Sequence, residues 1–182
     1  ISFVGFFLLN NIIDSHPNLD AGQILDLLDT AVIDTLKQNE EDSKLKDGMD
    51  ISICKINKKS GILDYAGAHR PLFLMRDSGG FEEIKGNKFP IGGGNAYTNK
   101  TNFTNHQITL HSGDSLYMFS DGLPDQFNHS NEKFTARKIR RIIQENKNEA
   151  IEKTQMQLES EFSTWKKSTK QTDDILLIGL KF

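Results

Sequence analysis

The sequence predicts an α+β fold: two helices, a run of antiparallel strands, two further helices and a final strand, forming two mainly antiparallel sheets packed together with helices outside. Three observations predict it. Apolar residues repeat at helical spacing near both ends of the chain. Between residues 49 and 119 they fall into short runs separated by Gly-, Asn- and Asp-rich turns. The runs Leu116-Tyr117-Met118-Phe119 and Ile175-Leu176-Leu177-Ile178 are apolar on both faces, the pattern of strands covered on both sides.

Taken in order, residues 2–14 read as a buried helix broken at Pro17-Asn18. Asp20 can cap a second helix reaching about Gln38, with Ile24, Leu27, Leu28, Ala31 and Thr35 as its apolar stripe. Asn39 to Gly48 is a polar loop. Met49 to Ile53 alternates as a strand, and Asn57 to Gly61 turns it into a partner over Ile62 to Ala66. Pro71 to Met75 and Phe81 to Ile84 form the next pair, turned at Asp77-Ser78-Gly79-Gly80. Asn87 to Asn95 reads as a loop. Phe103 to Leu110 and Ser115 to Phe119 are expected to pair across His111-Ser112-Gly113-Asp114. Ile139, Ile142 and Ile143 mark a third helix, and Ile151, Leu158, Phe162 and Trp165 a fourth. Ile175 to Phe182 closes the chain as a strand.

A length of 182 residues is most simply one domain with a real core, spanning 1–182. A net charge of −3 provides no global basic field, which argues against nucleic-acid binding. No apolar run approaches the ~20 residues of a membrane span. The single Cys54 excludes an internal disulfide and fits a cytoplasmic location. With five histidines at no ligand spacing, it also excludes a thiolate zinc site. The opening Ile1 to Leu9 has neither the basic start nor the cleavage site of a signal peptide, and reads as a helix entered from a longer chain.

The chemistry concentrates at two strand ends. Ser120-Asp121-Gly122 follows one apolar strand, and Gln171-Thr172-Asp173-Asp174 precedes another. A carboxylate at a strand end is rigidly mounted yet wet, as an oxygen-ligated hard cation requires. Either could equally be a plain turn. Gly92-Gly93-Gly94 lacks the Lys-Ser/Thr ending and following helix of a phosphate loop. His69 and Arg70 suggest structural hydrogen bonding, and Arg137, Lys138, Arg140 and Arg141 a solvated helix face rather than a dock for an acidic partner.

Five blocks in order carry a resemblance over nearly the whole chain: Lys46 to Ile51, Tyr65 to Pro71, Phe89 to Gly92, Leu110 to Leu123, and Gln171 to Ile175. The chain resembles the stage-II-sporulation-E-type phosphatases of the PPM (protein phosphatase 2C-like) family. The resemblance implies an αββα sandwich, two Mn²⁺ or Mg²⁺ ions, and hydrolysis of phosphoserine or phosphothreonine on a protein. It makes Asp121 and Asp173 the metal-binding and catalytic aspartates and places Gly122 in the same metal-binding turn. Asp174 is expected to orient the turn. Asp125 reads as a cap or as an accessory ligand, and Ala68, where many relatives carry Asp, argues against a third ion.

The family's Asp-x-x-Gly-His-Gly block would lie just before Ile1, with the strands leading into it. The segment is therefore expected to lack the first metal motif, to bind metal weakly or not at all, to show little activity, and to risk self-association through open sheet edges. The resemblance also implies an N-terminal sensor or relay domain and, as partner, a phosphorylated anti-sigma-factor antagonist. A non-catalytic phosphoprotein-binding or signal-relay module is the alternative; hydrolysis of a small phosphoester is a third reading.

Overall fold

The computed structural model describes residues 1–40, 47–94 and 100–182. In chain order its elements are α1 (Ser2–Ser15), α2 (Ala21–Thr35), β1 (Gly48–Met49), β2 (Ile51–Asn57), β3 (Ile62–Ala68), β4 (Leu72–Met75), β5 (Phe81–Ile84), β6 (Ile91–Gly92), β7 (His106–Thr109), β8 (Ser115–Phe119), α3 (Ala136–Glu145), α4 (Ile151–Lys166) and β9 (Leu177–Lys181). The α+β class expected from the sequence is the class observed. Lys46, Asn95 and most of the expected Asn39–Gly48 loop lie outside the described residues. The chain divides into two compact units, Ile1–Leu72 with Lys85–Leu110, and Phe73–Ile84 with His111–Phe182.

In the first unit, β2, β3 and β7 form an antiparallel sheet in the order β2-β3-β7, with Tyr65 opposite both Cys54 and His106. The two-residue strands β1 and β6 make a separate ladder, so a short strand interrupts the expected Asn87–Asn95 loop. A capping box starts α2: Asp20 accepts from the Gln23 amide, and the Gln23 side chain accepts from the Asp20 amide. The helix stops at Thr35, short of Gln38, because Lys37 turns left-handed (φ 52°). Its buried stripe is Ala21, Leu25, Leu28 and Val32, packed against Ala66, Ala68, Ile91 and Phe103. Leu27 and Thr35, expected on that stripe, face solvent instead.

The expectation of a buried α1 is also corrected. Gly5 is its one buried residue, and Leu8, Leu9 and Ile12 pack on the core, while Phe3 and Phe6 stand 84% and 68% exposed. The helix is apolar nearly all round, and the described residues cover a single stripe of it.

In the second unit the sheet order is β5-β4-β8-β9. Its core joins Phe73, Met75, Tyr117 and Phe119 to Ile139, Ile142 and Ile143 of α3 and Leu158 of α4. The expected pairing of residues 103–110 with 115–119 does not form. Instead β7 pairs with β3, and β8 pairs with β4 and β9. The buried Asp114 explains the redirection on the β8 side. Its carboxylate accepts from the amides of Asp77 and His111 and pairs with Arg76 (2.9 Å), while the amide of Gly113 (φ 88°) donates to the Phe182 carbonyl. The turn is thus tied to the β4–β5 hairpin and the end of β9. Both faces of β8 are largely covered, as expected; on β9 Ile178 and Leu180 stay exposed, as does Leu176 just before it.

Candidate functional site

Within the second unit, β8 and β9 run antiparallel with Phe119 opposite Leu177. The residues after β8 and those before β9 therefore emerge at the same end of the sheet. Ser120 fastens them. Its amide donates to the Leu176 carbonyl (3.0 Å), its hydroxyl donates to the Asp174 carbonyl (2.8 Å), and the same oxygen accepts from the Leu176 amide (2.9 Å). Sequence reasoning gave Ser120 no role of its own; its place beside Asp121 was the available signal.

Gly122 makes the approach closer still. A Cβ there would overlap the carbonyl oxygen of Asp174 and lie 3.2 Å from the carbonyl carbon of Asp173. A glycine is required here because another backbone occupies the space a side chain would need. The Asp121–Gly122 turn and the Asp173–Asp174 segment, 52 residues apart in sequence, are thus in direct backbone contact.

The four acidic residues singled out from the sequence are disposed differently. Asp121 is half-buried, and Asp173 and Asp174 are exposed. One oxygen of Asp173 accepts from the Asp174 amide (2.7 Å), and the Gln171 side chain donates to the Asp173 carbonyl (2.9 Å), so a short hydrogen-bonded turn presents the carboxylate. Asp174 acts on the turn through its backbone, as donor to Asp173 and acceptor from Ser120. Asp125 follows on the tight turn closed by its amide to the Asp121 carbonyl (2.9 Å). Its carboxylate pairs with Lys133 (3.0 Å).

Two other sequence signals belong to the first unit. The amides of Gly92 and Gly93 already donate to Asp29 (2.6 Å) and Gln38 (2.7 Å), and Lys100 bridges Asp29 and the Gly92 carbonyl. With those donors committed, the glycine run is no phosphate cradle. Asp50, between β1 and β2, holds His69 (2.9 Å) and Arg70 (3.0 Å) on its two oxygens, with His69 left-handed at φ 58°.

The comparisons with known proteins bear on the family and the fold. Residues 7–182 match the family of stage II sporulation protein E (SpoIIE). The chain belongs to the SpoIIE family. The SiaA-PP2C domain of Pseudomonas aeruginosa superposes with a TM-score of 0.83 at 21% identity, over 99% of this chain and 68% of that one. RsbX in complex with magnesium gives 0.64 at 16% identity, over 96% and 71%. The phosphatase domain of SpoIIE from Bacillus subtilis, presoaked with manganese, gives 0.58 at 18%, over 97% and 72%. At these identities the likeness establishes the PP2C-type fold. No curated protein sequence matches the chain.

The donor chemistry at the β8–β9 end is of the kind a hard divalent cation takes: carboxylates on short, braced turns, half-buried at Asp121 and exposed at Asp173. It is a partial set. Among the described residues, no three His, Cys, Asp or Glu side chains gather closely enough to hold an ion. Nor is any described helix long and apolar enough to cross a membrane.

Proposed function

We propose that this SpoIIE-family chain forms a single phosphatase domain that removes phosphate from phosphoserine or phosphothreonine of a cytoplasmic signalling protein. One observation carries the reading. Gly122 and Ser120 lock the Asp121 turn against the Asp173–Asp174 segment, bringing two acidic turns to one sheet end. In this reading Asp121 and Asp173 hold Mn²⁺ or Mg²⁺. Bound there, such an ion would supply charge to offset phosphate oxygens and would lower the pKa of a nearby water.

The protein's own contribution is placement. Ser120 fixes the two turns, Gly122 permits their contact, and the Asp174 amide holds one oxygen of the exposed Asp173 carboxylate. The magnesium and manganese in the RsbX and SpoIIE structures support the choice of ions. The two carboxylates leave most of a coordination sphere to water, so in this reading the site binds metal weakly. The substrate in this reading is a phosphorylated anti-sigma-factor antagonist, controlled through a sensor or relay domain in the same protein.

The test is a Mn²⁺-dependent phosphatase assay on a phosphothreonine peptide, with the chain in its full-length protein. Asp121→Asn and Asp173→Asn should each lower kcat/KM at least a hundredfold. Wild-type rates in either variant would remove that residue from the mechanism. The absence of a three-residue ligand cluster among the described residues favours a second reading, a phosphoprotein-binding module without hydrolysis. Phosphopeptide binding with no release of phosphate at saturating Mn²⁺ would select it.

A further inference from the structure

α3 presents two faces. Ile139, Ile142 and Ile143 are buried, while the opposite side lines a groove of about 850 Å³ with Lys133, Arg137, Lys138, Arg140 and Arg141. Trp165 of α4 forms part of its wall, and Glu132 is its one acidic lining residue. In a chain of net charge −3 this is a sharply local reversal of sign.

The cations are not equally committed. Lys133 is paired with Asp125, and Arg141 with Glu145 and Glu161. Lys138 lies 4.2 Å from the centre of the Trp165 ring, and Arg140 lies 4.5 Å from that of Phe81. Those ring contacts hold the side chains in place without neutralising them. Among the described residues, Arg137, Lys138 and Arg140 form no ion pair with a carboxylate. Trp165 is itself fixed, donating from its indole nitrogen to the Gln126 carbonyl (3.2 Å).

The groove is mechanically continuous with the Asp121 turn. Asp125, bonded to the Asp121 carbonyl, grips Lys133, and the amides of Phe134 and Thr135 return to the carbonyls of Gln126 (2.9 Å) and Pro124 (2.7 Å). One short, hydrogen-bonded loop therefore joins the proposed catalytic turn to the start of α3.

We propose that this basic groove is a docking site for an acidic stretch flanking the phosphorylated residue of the protein substrate. The proposal deepens the phosphatase reading and rests on it for the identity of the partner. Charge selects the occupant: three uncompensated cations attract carboxylates, and the two guanidinium groups can grip them in a bidentate manner. Length fits too. The ten residues of α3 span about 15 Å, room for four to five residues of extended peptide.

The experiment measures fluorescence anisotropy of an unphosphorylated, Asp/Glu-rich labelled peptide on the full-length protein, at low and high salt. A neutral peptide, phosphatidylglycerol vesicles and a short single-stranded RNA serve as competitors. The acidic peptide should bind, weaken with salt, and lose about tenfold affinity in Arg137→Gln/Arg140→Gln. A control with the same change in net charge, Lys58→Gln/Lys59→Gln in the β2–β3 turn, should keep wild-type affinity. The exposed positions of all four residues make folded variants the expectation, checked by their melting temperatures.

Equal affinity in both double variants, no binding, or preferential capture of vesicles or RNA would overturn the proposal. Binding does not require turnover. A protein that grips the acidic peptide through Arg137 and Arg140 yet releases no phosphate would refute the phosphatase reading and leave the groove standing.

Discussion

Gly122 shows what a single residue decides at this site. In the sequence, Asp121-Gly122 is an ordinary turn signal. In the structure the glycine is needed because the Asp174 carbonyl occupies the position of its missing Cβ. Gly122→Ala should therefore push the Asp173 segment away, cost about 3 kcal/mol in denaturant unfolding, and depress phosphatase activity strongly. A variant with unchanged stability and activity would mean that the contact is not needed. The Ser-Asp-Gly and Thr-Asp-Asp runs taken alone read as turns, and the ordered family blocks around them made them candidates for chemistry. The bracing by Ser120 was not, since a hydroxyl's partners depend on which distant strand lies beside it.

At the scale of elements, Asp114 is the hinge of the second unit. Burial alone would raise its pKa, but the amides of Asp77 and His111 and the Arg76 guanidinium outweigh that and hold it below the ordinary carboxylate range. The unfolded chain then binds the proton more tightly than the folded one. The stability this group supplies is complete above about pH 4 and is lost as pH falls through the lowered native value. Asp114→Asn should accordingly show a flatter acid limb in thermal melts from pH 5 to 2. Asp114→Ala removes a buried carboxylate that accepts from two amides and from Arg76, leaves Arg76 its pair with Glu82, and should cost about 2–3 kcal/mol. An acid limb as steep as wild type in Asp114→Asn would show that other carboxylates govern the loss.

The same residue explains the misassigned hairpin. Alternation located β7 and β8 nearly correctly, but periodicity is silent about partners. Two strands joined by a short turn look like a hairpin until a buried carboxylate ties that turn to the β4–β5 hairpin. In α2 the helix and its cap could be read from Asp20, while the reciprocal bond from Gln23 emerged with the structure. Of the expected stripe Ile24 and Leu28 are buried, but Leu25 takes the place of Leu27, because the two are equally apolar and only the sheet beneath the helix distinguishes them.

For the molecule as a whole, the proposed metal chemistry has a thermal signature. A cation bound to the native state alone stabilises it by about 2.7 kcal/mol at a hundredfold excess over Kd, worth several degrees in Tm for a chain of this size. Titrating Mn²⁺ should raise the Tm of wild type and leave Asp121→Asn unmoved. Equal shifts in the two proteins would place the ion elsewhere.

What the sequence by itself determined is the set of local signals: the α+β class, most element positions, the two acidic turns and the family blocks. These are written in spacing and residue type over a few neighbours. Only the tertiary structure decided which strands pair, which face of α2 is buried, that α1 keeps its phenylalanines exposed, and that the 121–122 and 173–174 backbones touch. Those outcomes depend on competition for burial and hydrogen bonds between segments far apart in the chain, which no local pattern encodes.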